Sequence, residues 1–126
     1  MLVDTDVLVW YMRGNEKAKR VIENLKSFSI SVVTYIELVQ GLRNKEELNA
    51  LRNSLKGWNV EIIYINEEIS IKSMFLVEQY YLSHSILLAD ALVGATAVTW
   101  GLPLLTANTK HYTIIKNIIL KKFHPK

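Results

Sequence analysis

Residues 1–12 read MLVDTDVLVWYM, an apolar run interrupted by two acids, Asp4 and Asp6. Met1 to Asp4 has the make-up of a short buried strand, and Val7 to Met12 continues apolar as a short helix that Gly14 ends. A strand passing directly into a helix opens a crossover unit, so this stretch predicts strands and helices alternating around a parallel sheet. The remainder of the chain keeps that rhythm. NEKAKRVIENL (15–25) is an amphipathic helix with Asn15 as its cap. Phe28 to Val33 is β-branched and short, as a second strand would be. Thr34 opens a helix that runs to Gly41, and EELNALRNSL (46–55) resumes the helical period. VEIIYI (60–65) is a third strand, followed by a long helix from Glu67 to Tyr81. LLADALVGATAVTW (87–100) is a helix whose small residues permit close packing and which Gly101 terminates. LPLLT (102–106) supplies a fourth strand and IIKNIIL (114–120) a fifth, and Lys121, Lys122 and Lys126 form a solvated tail. The expected fold is α/β, in one domain spanning 1–126.

Composition narrows the function. A chain of 126 residues is long enough to bury about two-thirds of its unfolded surface in one core. It has no cysteine, which removes disulfides and Cys-based zinc sites and points to a reducing, cytoplasmic setting. No secretory pattern opens the sequence and no stretch approaches the roughly 18 apolar residues of a membrane span. Fifteen Lys and Arg against twelve Asp and Glu give a net charge of +3, a slight lean toward anionic partners such as nucleic acid.

The acids carry the chemistry. The chain has three aspartates, Asp4, Asp6 and Asp90, and each sits in an apolar neighbourhood. Glu37, inside SVVTYIELV (31–39), joins them. In open parallel sheets ligands bind beyond the carboxyl ends of the strands. Asp4 ends the first strand, Glu37 follows the second by one turn, and Thr106 to Asn108 follow the fourth. Buried carboxylates need a compensating charge, and no Arg or Lys lies in the same apolar runs. A hard divalent cation, Mg²⁺ or Mn²⁺, takes oxygen ligands and completes its shell with water and substrate phosphate. Such a site hydrolyses phosphodiesters without a Cys, Ser or His nucleophile.

Each acid also has a purely structural explanation. Thr34 and Glu37 match a capping box, in which Glu37 reaches back to the amide of Thr34. Asp6 fits the N-cap of the short helix, and Asp90 fits the positive end of its own helix. Asp4 has no evident helix to cap.

Three stretches, VDTDVLVWYMRG (3–14), ISVVTYIELVQGL (30–42) and LLADALVGATAVTWGLPLLTANTKHY (87–112), together resemble the PIN-domain endoribonucleases of the VapC toxin type. The resemblance covers nearly the whole chain. It implies a three-layer α/β/α sandwich with a central, mainly parallel sheet of four to five strands. Mg²⁺- or Mn²⁺-dependent cleavage of RNA is the implied activity, in a homodimer silenced by a small antitoxin whose C-terminal segment crosses the active-site groove. Carried over, Asp4, Glu37 and Asp90 match the catalytic, metal-binding acids, while Asp6 and Thr106 match supporting positions. Asn108 departs from the pattern, because many members have a fourth aspartate there. Arg13 and Lys110 are candidate contacts for RNA or antitoxin.

Two other readings compete. VDTDVLV also resembles the strand-end Asp-x-Asp of haloacid-dehalogenase-type phosphatases, although Asp90 lacks the paired acid which that chemistry needs. A catalytically silent RNA- or partner-binding domain of the same fold is the second. Convergence of Asp4, Glu37 and Asp90 at metal-bridging spacing separates the nuclease from the silent module.

Overall fold

Leu2 and Val3 are both fully buried, yet they belong to different cores. Successive strand residues point to opposite faces of a sheet, so a strand with apolar residues on both faces needs helices on both sides. The computed structural model, which describes residues 1–126, shows that arrangement. Its elements are β1 (Leu2–Val3), α1 (Thr5–Met12), α2 (Glu16–Asn24), β2 (Phe28–Ser31), α3 (Val32–Gln40), α4 (Lys45–Gly57), β3 (Val60–Ile63), α5 (Glu67–His84), α6 (Leu88–Trp100), β4 (Leu104–Thr106) and β5 (Leu120–Lys122). A 3₁₀ turn at Thr109–His111 lies between the last two strands. The five strands form one parallel sheet in the order β3-β2-β1-β4-β5.

Val3, Ile30 and Leu105 face α1 to α4, where they pack with Val7, Leu8, Ile22, Leu38 and Leu51. On the other face Leu2, Ile63 and Leu104 pack with Ile69 of α5 and with Ala91, Val93, Ala95 and Ala97 of α6. The result is the expected α/β/α sandwich. Order decides where a site can form. The chain leaves β1 for β2 and β3 on one side, then returns to β4 and β5 on the other. Crossover helices diverge at that reversal and leave a crevice beyond the carboxyl ends of β1 and β4.

Local boundaries moved for identifiable reasons. Asn15 caps α2 as expected, accepting from Ala18 N at 2.9 Å, and Gly101 ends α6 at φ +63°. The second strand stops at Ser31 instead of Val33, because the Ser31 hydroxyl accepts from Val33 N at 3.0 Å and caps α3. Helix α5 continues to His84, three residues beyond the expected end. The fifth strand is displaced from 114–120 to Leu120–Lys122, since Ile114, Ile115 and Ile118 turn inward and pack under the second core. Lys121 and Lys122 are therefore exposed strand residues and not tail. The following segment is fastened at Asn15, whose Nδ2 donates to the Pro125 carbonyl at 2.8 Å.

Gly94 of α6 is the tightest point between helix and loop. A methyl group there would collide with Cδ1 of Ile115, a residue only 5% exposed, and would touch the Tyr112 ring at 3.5 Å. Alanine gains about 1 kcal/mol of helix propensity over glycine, whereas overpacking a filled core costs about 1–3 kcal/mol. Gly94→Ala is expected to lower stability by about 1 kcal/mol in urea unfolding. In an Ile115→Val background, which removes the colliding atom, the same substitution is expected to raise stability.

Candidate active site

Asp4 leaves the sheet at the carboxyl end of β1 and becomes the N-cap of α1, its Oδ1 accepting from Thr5 N at 2.8 Å. This corrects the expectation that Asp4 has no helix to cap and that Asp6 takes the role. Its Oδ2 accepts from the hydroxyls of Thr106 and Tyr112, both at 2.9 Å. The carboxylate is 8% exposed. Burial, reinforced by the neighbouring Asp6 charge, pushes its pKa up to about 6 against hydrogen bonds that pull the other way.

Asp6 sits in the first turn of α1. Its Oδ2 accepts from Ala107 N at 2.9 Å and Asn108 Nδ2 at 3.2 Å. Thr106 Oγ1 lies 3.4 Å from the same oxygen, but a hydroxyl has one proton and Asp4 is nearer. Oδ1 of Asp6 is buried with no hydrogen-bond partner. Burial raises its pKa as well. Asn108 thus spends its amide on Asp6 and its backbone N–H on Thr106 Oγ1 at 3.1 Å.

Glu37 does not reach back to Thr34. Ser31 caps α3, which moves Glu37 out of the first turn and overturns the capping-box alternative. Its Oε1 accepts from Thr5 Oγ1 at 2.7 Å, and Thr5 Oγ1 lies 3.0 Å from Thr34 Oγ1. Asp90, in the first turn of α6, faces His111 Nδ1 at 3.6 Å, too long for a hydrogen bond.

Asp4, Asp6, Glu37 and Asp90 line one cleft of about 380 Å³, together with Arg13, Asn108, His111 and Tyr112. The Arg13 guanidinium lies over the Trp10 ring, 5.9 Å from its centroid. Lys110 is exposed on the 3₁₀ turn and is not among the lining residues. Four acids therefore share a cleft with one permanent cation. No three acidic or histidine side chains stand close enough to enclose an ion on their own. The acids converge on a cleft without forming a cage. Their oxygen donors, the desolvated Asp4 and the orphaned Oδ1 of Asp6 nevertheless fit a hard cation that brings its own waters or a substrate phosphate.

The sequence profile of the PIN domain matches residues 1–117. The chain belongs to the PIN-domain family. It is 34% identical to Ribonuclease VapC1 of Methanocaldococcus jannaschii over 96% of this chain and 85% of that protein. Ribonuclease VapC19 of Mycobacterium tuberculosis is 29% identical over 93% of this chain and 95% of its own length. A toxin–antitoxin complex from Klebsiella pneumoniae contains a chain 28% identical, covering 99% of this one and 97% of itself with a TM-score of 0.73. VapBC2 from Rickettsia felis, bound to a promoter DNA fragment, superposes at a TM-score of 0.79 with 21% identity and 98% coverage of each chain, a likeness of fold. PIN membership removes the haloacid-dehalogenase-type alternative.

Two residues of this PIN cleft carried no sequence signal. Thr5 supplies a backbone donor to Asp4 and a hydroxyl to Glu37, yet reads as an ordinary residue between two acids. Tyr112 is 2% exposed and reads as core, its partner Asp4 lying 108 positions away. Hydroxyl residues beside a strand-end acid were the available hint.

The raised pKa of Asp4 makes stability pH-dependent. Its folded value of about 6 lies above the ordinary 3.8. Asp4 therefore favours folding fully below pH 3.8, and that contribution is lost as pH rises through the folded value. Relative to Asp4→Asn, the wild-type protein is expected to lose on the order of 2–3 kcal/mol between about pH 4 and pH 7, read from urea unfolding across that range.

Proposed function

We propose that this chain is a divalent-metal-dependent endoribonuclease, the toxin of a toxin–antitoxin pair, acting in the cytoplasm as a single domain over 1–126. The observation that carries the reading is the convergence of four carboxylates on one cleft at the sheet's reversal point, in a chain similar to two ribonucleases. Asp4, Glu37 and Asp90 are the catalytic acids that would hold Mg²⁺ or Mn²⁺, with Asp6, Thr106 and Asn108 shaping the site. When bound, such an ion lowers the pKa of a water and offsets charge on the phosphate being cleaved.

The protein's own contribution is orientation. Thr106 and Tyr112 hold Asp4, and Thr5 holds Glu37 at the open side of the cleft. Arg13, exposed and lining the same cleft, supports contact with a phosphate of the RNA backbone. Hydrolysis adds water oxygen to phosphorus and releases a ribose oxygen, which takes a proton. Lys110, on the exposed turn beyond the cleft, is available to RNA or antitoxin.

The antitoxin's place is supported by a second groove, about 760 Å³, between α1, α3 and α4. It shares Val9, Arg13 and Glu37 with the cleft, and Leu38, Leu42 and Leu51 contribute apolar lining. A peptide laid along it would reach the carboxylates, where a basic residue at its tip would be attracted.

The decisive assay is cleavage of total cellular RNA by the antitoxin-free protein with Mg²⁺, with Mn²⁺ and with EDTA. Fragments are expected with either metal and none with EDTA. Asp4→Asn and Asp90→Asn are each expected to lower the rate on the order of a hundredfold or more while remaining folded by circular dichroism. The missing three-acid cage favours the silent binding module as the second reading. A folded wild-type protein that cleaves under none of these conditions would establish it.

Homodimerisation is supported by α5, which presents Ile71, Met74, Phe75 and Leu82 to solvent, Leu82 at 94% exposure. An apolar stripe at helical spacing is self-complementary about a two-fold axis. Leu82→Glu is expected to convert a dimer to monomers in analytical ultracentrifugation, and an unchanged sedimentation coefficient would reject this face.

A further inference from the structure

We propose that Tyr112, with Thr106, is a positioning residue that fixes which oxygen of Asp4 faces the cleft and so sets the choice of cation, an inference that rests on Asp4 being a metal ligand. Each carboxylate oxygen has two lone pairs. Both pairs of Oδ2 are engaged, one by the Thr106 hydroxyl and one by the Tyr112 hydroxyl, each at 2.9 Å. Oδ1 accepts only the Thr5 amide at 2.8 Å and keeps one pair free. Asp4 is therefore arranged to meet a cation through a single oxygen.

That arrangement discriminates between ions. Mg²⁺ is compact, octahedral and reluctant to give up water, so one oxygen per carboxylate suits it, and Mn²⁺ favours the same oxygen donors. Ca²⁺ takes six to eight oxygens and commonly engages a carboxylate through both. Filling Oδ2 with hydroxyl donors denies Ca²⁺ that mode.

Packing alone does not account for the Tyr112 hydroxyl. The ring is 2% exposed and wedged against Gly94 and Ile115, a space that phenylalanine would fill equally well. Its one hydrogen bond is to Asp4.

The test is calorimetric titration of the antitoxin-free protein at pH 8 with MnCl₂ and, separately, CaCl₂, for wild type, Tyr112→Phe and Thr106→Val. Wild type is expected to bind Mn²⁺ more tightly than Ca²⁺. Tyr112→Phe is expected to reduce the ratio of the two affinities about tenfold, the lower end of what ligand-orienting partners contribute at metal sites. Thr106→Val, which removes the other donor to the same oxygen, is expected to act in the same direction. In RNA cleavage with Mn²⁺, Tyr112→Phe should lower kcat and leave KM unchanged. A folded Tyr112→Phe protein with the wild-type affinity ratio would overturn the positioning role while leaving Asp4 as a ligand. A folded wild type that binds no Mn²⁺ would overturn the metal assignment itself, and this inference with it.

Discussion

A desolvated carboxylate at the carboxyl end of a two-residue central strand is the constraint around which this molecule is organised. Asp4 is kept from water by both cores and accepts from donors on three different segments: Thr5 at the start of α1, Thr106 at the end of β4, and Tyr112 after the 3₁₀ turn. Two of those donors lie 102 and 108 positions downstream. The acid is thus correctly held only when β4 has docked against β1 and the loop after it has closed. Local helix formation around α1 cannot complete the site. The hydrophobic packing of the second core, with Leu104, Tyr112 and Ile115 among its members, supplies the stability that holds those donors in place.

Charge crowding is handled by chemistry chosen position by position. Asp4 and Asp6 are two apart in sequence and both carry raised pKa values, so a further anion against them would add to an existing cost. At position 108 the chain has asparagine, whose Nδ2 donates to Asp6 Oδ2. An aspartate there would have turned that donor into a repelling carboxylate. Asparagine at this position therefore relieves the pair it touches, and it leaves Asp6 with one satisfied and one orphaned oxygen.

The alternating architecture was readable because it rests on periodicity, which is local. Strands β1 to β4, the helices between them and the end of α6 at Gly101 all follow from apolar spacing and turn chemistry. Side-chain roles were less readable because they depend on partners distant in sequence. Val32 and Val33 have strand propensity, yet Ser31 caps a helix that begins with them, and that shift of boundary turned Glu37 from a capping residue into a lining residue of the cleft. Asp4 was legible as a buried acid at a strand end, but its cap to α1 was not, because the helix starts at Thr5, ahead of the apolar run from Val7. Tyr112 gave no sign at all, since a buried aromatic near the end of a chain reads as core until its hydroxyl is located. The isoleucines from 114 to 118 have strand composition and instead pack beneath α6, where β5 needs only the next three residues to pair with β4.

The four acids differ in how firmly they are held. Asp4 and Asp6 are clamped by several donors each, whereas Glu37 is restrained by the single Thr5 hydroxyl and Asp90 by a 3.6 Å contact to His111. One wall of the cleft is consequently held by more hydrogen bonds than the other. Thr5 joins them, giving its amide to Asp4 and its hydroxyl to Glu37. The two acids with fixed backbone donors are thus the ones desolvated by burial, in a cleft without a ready-made cage. Clamping all four carboxylates side by side would raise their mutual repulsion, and carrying Glu37 and Asp90 on separate helices, α3 and α6, avoids that cost.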